Sequence, residues 1–143
     1  MEANQQKQQP PCYCLKIRRA SAVITKFYDK ILRACGITIR QYSLLLNISR
    51  AEQCSVRELA DRTELDRSTL TRSLKPLYQQ KLIVDAKQPG TRNSRLELTE
   101  AGKETVARAK LLWAEAQEDV KETLGEEGLS SLEKVVSLLE SLQ

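Results

Sequence analysis

Between Ser55 and Leu98 the chain sets two short capped helical segments directly ahead of two short apolar runs parted by Pro89-Gly90. Few folds accept that order. Ser55 with Glu58 spells a capping box, which starts a helix over SVRELADRT with Val56, Leu59 and Ala60 facing inward. Asp66 is the N-cap of a second helix, where Leu70, Leu74 and Leu77 recur at i, i+4 and i+7 and so bury one stripe. Its opposite face carries Ser68, Thr69, Thr71, Arg72 and Lys75. Pro76 inside this helix predicts a kink or one lost backbone bond. Leu82 to Val84 reads as a strand, and Arg95 to Leu98 alternates as its return. The Pro89-Gly90 turn makes the pair a hairpin with a basic tip.

The flanks are longer helices. From Cys14 to Cys35 apolar residues such as Ile17, Ile24, Tyr28 and Ile31 recur at three- and four-residue steps, and Gly36 stops the helix. Thr38 with Gln41 is a second capping box, opening a helix expected to run to about Gln53 with Tyr42, Leu45, Leu46 and Ile48 apolar. Thr99 caps a long helix striped by Val106, Ala109, Trp113, Ala116, Val120 and Leu124. Gly125 and Gly128 predict a break, and a final helix carries Leu129, Leu132, Val136, Leu139 and Leu142. The whole is a mainly α fold: a winged helix-turn-helix with a two-stranded wing and long N- and C-terminal dimerisation helices. Residues 1–11 are expected to be a disordered lead-in and 12–142 a single domain. Within it, 55–98 form the winged lobe, and 12–53 with 103–142 form the dimerisation helices. The end helices are too long and too apolar for so small a lobe to cover, so two chains burying them mutually is the simpler outcome.

Charge separates along the same boundaries. Residues 1–54 hold nine Lys/Arg against three Asp/Glu, residues 55–98 nine against six, and residues 99–143 five against ten. From Arg67 to Arg95 there are seven basic residues and one acid, Asp85. A basic middle ahead of an acidic tail fits a polyanionic partner at one end only. The chain has no histidine, which excludes Ser-His-Asp and Cys-His catalysis and histidine-ligated zinc. No enzyme, cofactor or metal is expected. No apolar run approaches the roughly 20 residues that span a bilayer. The polar leader MEANQQKQQPP lacks the apolar stretch of a signal peptide, so a cytoplasmic location is expected.

A helix fits the major groove of DNA, and its outer face must offer hydroxyls and Arg or Lys to base edges and phosphates. Arg67, Ser68, Thr69, Thr71, Arg72 and Lys75 supply such a face. The helix start near Asp66 to Ser68 also offers free N–H groups to a phosphate. At the hairpin tip, Arg92, Asn93 and Arg95 can reach an adjacent minor groove.

The stretch SVRELADRTELDRSTLTRSLKPLYQQKLIVDAKQPGTRNSRLELTEAG resembles the DNA-binding core of the multiple-antibiotic-resistance-regulator (MarR) family. ELADRTELDRSTLTRSLKPL and LELTEAGK are its most specific pieces, and the likeness extends over about residues 12–142. The resemblance implies a cytoplasmic homodimer that binds a pseudo-palindromic double-stranded operator, usually as a repressor. It places Arg67, Ser68, Thr69, Thr71, Arg72 and Lys75 at the major groove and Arg92 and Arg95 on the wing. One departure stands out. The family's wing usually carries Asp-x-Arg, whereas here Asn93 stands at the aspartate's place before Arg95.

Four cysteines, Cys12, Cys14, Cys35 and Cys54, leave three readings open. They are inert thiols, with Cys35 and Cys54 as small buried hydrophobes. Or Cys12 and Cys14 form a thiol sensor at a helix start, where N–H groups and Lys16, Arg18 and Arg19 favour a thiolate. The resemblance adds that peroxide-sensing members carry a reactive cysteine near this point. The third reading is a soft-metal site, though the spacing matches no standard ligand motif. The resemblance also allows an anionic aromatic effector, for which Arg18, Arg19, Tyr28, Tyr42 and Trp113 could line a pocket or simply belong to the core. An alternative of another class is a winged-helix module that binds a protein instead of DNA.

Overall fold

The computed structural model describes residues 10–51 and 54–143. Its order is α1 (Tyr13–Leu32), a 3-10 turn (Arg33–Cys35), α2 (Ile39–Arg50), α3 (Val56–Thr63), α4 (Arg67–Gln79), β1 (Ile83–Asp85), β2 (Leu96–Leu98) and α5 (Glu100–Glu140). This is a winged helix-turn-helix, mainly helical, with a two-stranded antiparallel wing.

The helix starts follow local chemistry. Thr38 and Gln41 form the full reciprocal box, with the Thr38 hydroxyl accepting the Gln41 N–H and the Gln41 amide oxygen accepting the Thr38 N–H. Ser55 Oγ accepts the Glu58 N–H at 3.0 Å. The reciprocal bond from the Glu58 carboxylate is not made among the described residues, so this box is half formed. The neighbouring Val56 N–H goes to Ser94 Oγ of the wing at 2.8 Å, a tertiary contact that satisfies another free donor of the helix start. Thr99 caps α5 through Gly102 N.

Several boundaries move. The first helix closes at Leu32, and its last residues tighten into the 3-10 turn instead of continuing to Cys35, with Gly36 N bonding Arg33 O. The second helix ends at Arg50 because Ala51 turns extended, and the expected end at Gln53 lies outside the described residues. Most of the expected lead-in, residues 1–9, also lies outside them. α4 stays helical through Pro76 to Gln79, with the proline's backbone donor missing from the helix. α5 is two helical segments, because Gly125 sits at φ 67°, ψ 176°, a conformation that strains any side chain. Gly128, the second expected breaker, lies within helix.

One core joins the elements. Leu32 of α1, Leu45 and Ile48 of α2, Leu59 of α3, Leu70, Leu74 and Leu77 of α4, Ile83 and Leu96 of the wing and Ala109 of α5 are all buried together. Removing each such leucine from water is worth roughly 1.5–3 kcal/mol. The wing is seated on this core by β1 and β2, which pair Ile83 with Leu98, Val84 with Glu97 and Asp85 with Leu96. Leu96 N also bonds Cys54 O at 2.7 Å, which ties the wing to the strand-like entry of α3. Gly102 packs α5 against the residue before β1, where a Cβ would run into the Leu82 carbonyl oxygen.

Candidate nucleic-acid interface

The outer face of α4 is set by its inner one. With Leu70, Leu74 and Leu77 held in the core, Ser68, Thr71, Arg72 and Lys75 fall at i, i+3, i+4 and i+7 on the exposed side, with Arg67 exposed beside them. Thr69 is half-buried and turned toward the cap.

Asp66 organises the start of this face. Its carboxylate accepts the Thr69 N–H at 2.8 Å, the Ser68 hydroxyl at 2.7 Å and the Thr69 hydroxyl at 2.7 Å. The backbone bond from Thr69, then the two hydroxyl bonds, pull its pKa down to about 2, so it stays ionised at neutral pH. The expectation that this helix start offers its N–H groups to a phosphate is thereby narrowed. The protein's own anion already occupies the Thr69 donor and answers the helix dipole. Further along, Thr71 donates its hydroxyl to Arg67 O at 2.8 Å and Ser73 to Thr69 O at 2.9 Å. The face therefore presents hydroxyl lone pairs together with the cations of Arg67, Arg72 and Lys75, which form no ion pair among the described residues.

The wing carries Arg92 and Asn93 exposed near its tip. Arg95 is half-buried and lies further back, with Nε 3.0 Å from Glu97 Oε1, a charge contact that is not an aligned hydrogen bond. Asp85 holds the base of the wing, because its Oδ1 accepts N–H groups from both Lys87 (3.1 Å) and Arg95 (2.9 Å). Neither Asp85 nor Ser94 stands out in sequence as a site residue. The first acts across a ten-residue loop and the second across 38 residues.

The end-helix candidates fall in two groups. Cys12 is the N-cap of α1, extended at φ −85°, ψ 111°, and makes no side-chain cap bond. Cys14 lies in the first turn, and both thiols are exposed. Cys35 is half-buried, and Cys54 is buried, with desolvation and then the nearby Glu58 charge pushing its thiol pKa up. Tyr28, Tyr42 and Trp113 come together along one stretch of α5. Tyr28 donates its hydroxyl to Gln117 Oε1, and Tyr42 stacks on Trp113 with ring centroids 6.4 Å apart. Burial raises both tyrosine pKa values. Arg18 is not brought to them. It lies on the exposed part of α1, about 15 Å along the helix from Tyr28.

Comparison with known proteins agrees with this architecture. Residues 36–92 match the family model described as MarR family. The transcriptional regulator SarZ of Staphylococcus epidermidis is 32% identical over 92 residues, which are 64% of this chain and 62% of SarZ. The chain therefore matches less than two thirds of that relative's length. The Mycobacterium tuberculosis transcriptional regulator MosR, solved in complex with DNA, is 30% identical, with a TM-score of 0.77 over 93% of this chain and 99% of MosR. MepR of Staphylococcus aureus, also solved with DNA, shares the fold at a TM-score of 0.80 and 20% identity, over 94% of this chain and all of MepR. With the winged lobe, the helical flanks and the full-length likeness to MosR in agreement, the chain belongs to the MarR family of winged helix-turn-helix proteins.

Proposed function

We propose that this chain is a sequence-specific, DNA-binding transcriptional regulator, a cytoplasmic repressor that grips a pseudo-palindromic operator as a homodimer. One observation carries the reading: α4 shows an exposed stripe of hydroxyls and cations beside a basic wing, on a lobe whose other side is closed by its own core. In this reading, Arg72 and Lys75 enter the major groove with Arg67, Ser68, Thr69 and Thr71 around them, and Arg92, Asn93 and Arg95 follow the adjacent backbone and minor groove. MosR, similar over its whole length, is a transcriptional regulator solved on DNA, which supports the same partner here. A protein-binding winged helix would have no need of a basic wing. Among the described residues no helix is long and apolar enough to cross a membrane.

The ends supply the second copy. Tyr13, Leu15, Ile17, Val23 and Ile24 of α1, Leu132, Val135, Val136, Leu138 and Leu139 of α5, and Leu142 just after it are exposed in the single chain. So much open apolar surface marks an interaction site. In this reading residues 12–53 and 103–142 pair the subunits, and the 55–98 lobes reach half-sites about 34–36 Å apart.

Binding to duplexes from the region upstream of the neighbouring gene, measured at two salt concentrations, tests the reading. Arg72→Ala should cost about 1–3 kcal/mol of affinity and relax base preference. An unchanged affinity and preference would remove α4 from the major groove.

A thiol-controlled release is the second layer. Cys12 stands exposed at a helix start with no side-chain cap, next to the apolar stripe of α1. A peroxide that oxidises the thiolate to sulfenic acid, itself reduced to water or an alcohol, would change the pairing region without touching a DNA contact. Peroxide should weaken binding by the wild type and dithiothreitol restore it, while Cys12→Ser/Cys14→Ser stays bound. Equal behaviour of the two proteins would leave an anionic aromatic ligand, held near Tyr28, Tyr42 and Trp113, as the effector.

A further inference from the structure

Arg57 and Lys87 are absent from the interface drawn above, yet the fold brings both beside Arg67 and Arg92. The four cations line one cleft of about 220 Å³ where the start of α3, the start of α4 and the wing meet. None of the four belongs to an ion pair among the described residues, whose pairs are Arg95–Glu97, Lys103–Glu100 and Lys121–Glu118. No carboxylate lines this cleft; Glu58 lines the adjoining one. Ser94 adds a neutral donor. Its Oγ accepts the Val56 N–H, and its own hydroxyl hydrogen has no acceptor among the described residues. Like charges gathered at a small concavity repel one another, and an anion between them relieves that cost. Guanidinium groups further suit the oxygens of a phosphate, to which they offer paired donors.

We propose that this cleft is an oxyanion site that holds one phosphate group, and that Arg57 and Lys87 are binding residues of it alongside Arg67 and Arg92. The inference rests on the DNA-binding reading for its preferred ligand, a backbone phosphate of the duplex. The position supports that source. The cleft lies between the recognition helix and the wing, where the strand separating the major groove from the adjacent minor groove must pass. Once seated there, the phosphate fixes the angle between wing and recognition helix, because all three elements hold it at once. Free inorganic phosphate shares the chemistry and would compete for the same cations.

The full-length chain and its Arg57→Ala/Lys87→Ala variant test this in two arms. Both residues are exposed, so the core is left intact. In the first arm, binding to a short mixed-sequence duplex is followed as salt rises from about 50 to 200 mM. Each phosphate neutralised contributes roughly 0.9 to the slope of log affinity against log salt. The double variant should lose about one unit of slope, since its two cations share one phosphate. A loss of about two units would mean separate phosphates, and no loss would mean that Arg57 and Lys87 neutralise no phosphate. Either result overturns the shared site. In the second arm, the thermal midpoint is compared in phosphate and in chloride at equal ionic strength. A rise with phosphate in the wild type, abolished in the double variant, shows that free phosphate also enters. No rise, with the slope loss intact, assigns the site to the DNA backbone alone. Should the wild type bind no duplex at all, the DNA reading fails by itself. The oxyanion site then stands on the phosphate-dependent rise and falls without it.

Discussion

Leu59, Leu70 and Leu77 of the winged lobe's helices are shut off from solvent by the chain's own side chains, whereas at the far end of α5 Leu132 is 46% and Leu138 61% exposed. Both regions are equally regular helix with apolar residues at helical spacing. They differ in what covers the stripe. In the lobe, α2, α3, α4 and the wing converge from several directions and seal it. From residue 130 onward α5 is covered by no other element among the described residues, and residues 130–143 are exposed throughout. Helical periodicity therefore shows that a face must be buried; whether by the same chain or another is decided by how many elements lie within reach.

That contrast breaks most visibly by truncation. Leu77→Ala should destabilise the fold by about 2–5 kcal/mol, because the cavity it leaves is walled on all sides. The loss should not depend on protein concentration. Leu139→Ala should act only through association, so its effect on the unfolding midpoint should grow as the protein is diluted toward the dissociation constant. Identical, concentration-independent losses from the two variants in thermal unfolding would erase the distinction.

A smaller effect sharpens the account of the lobe itself. Asp66 caps α4 with a pKa of about 2, below the ordinary 3.8. A depressed carboxylate pKa contributes stability that is complete above the ordinary value and is lost as pH falls through the folded one. Asp66→Ala should therefore lower the thermal midpoint at pH 7, and the gap from wild type should close between about pH 4 and pH 2. Asp66→Asn, which still caps but does not titrate in this range, should change its gap from wild type over the same window, starting from a smaller gap at pH 7 because the neutral cap remains. A gap for Asp66→Ala that persists unchanged to pH 2 would show that the carboxylate charge is not what holds the cap.

Features whose cause is local were legible from residue order. The caps at Thr38, Asp66 and Thr99, the hairpin around Pro89-Gly90 and the break at Gly125 each follow from what one or two side chains do to the nearest backbone. The stripe on α4 was readable too, since its inner leucines dictate which residues point out. Features made by distant segments were not. LELTEAGK gives no hint that its glycine exists to let α5 pass the Leu82 carbonyl. Nor can spacing show that Ser94 would take the Val56 N–H, or that Arg57 and Lys87, 30 positions apart, would line one cleft. Each of these needs the wing folded onto α3 before it exists.

The central claim is that the open end helices await a second copy of this chain and that the pairing places two lobes on DNA. Light scattering on the wild type and on Leu132→Asp/Val136→Asp, with operator binding measured on the same samples, tests it most directly. Two carboxylates buried without partners in the pairing region cost several kcal/mol. The wild type should show twice the chain's mass, and the variant should become monomeric or unfold, losing operator affinity in either case. A variant that remains a folded dimer and binds the operator tightly would contradict the claim.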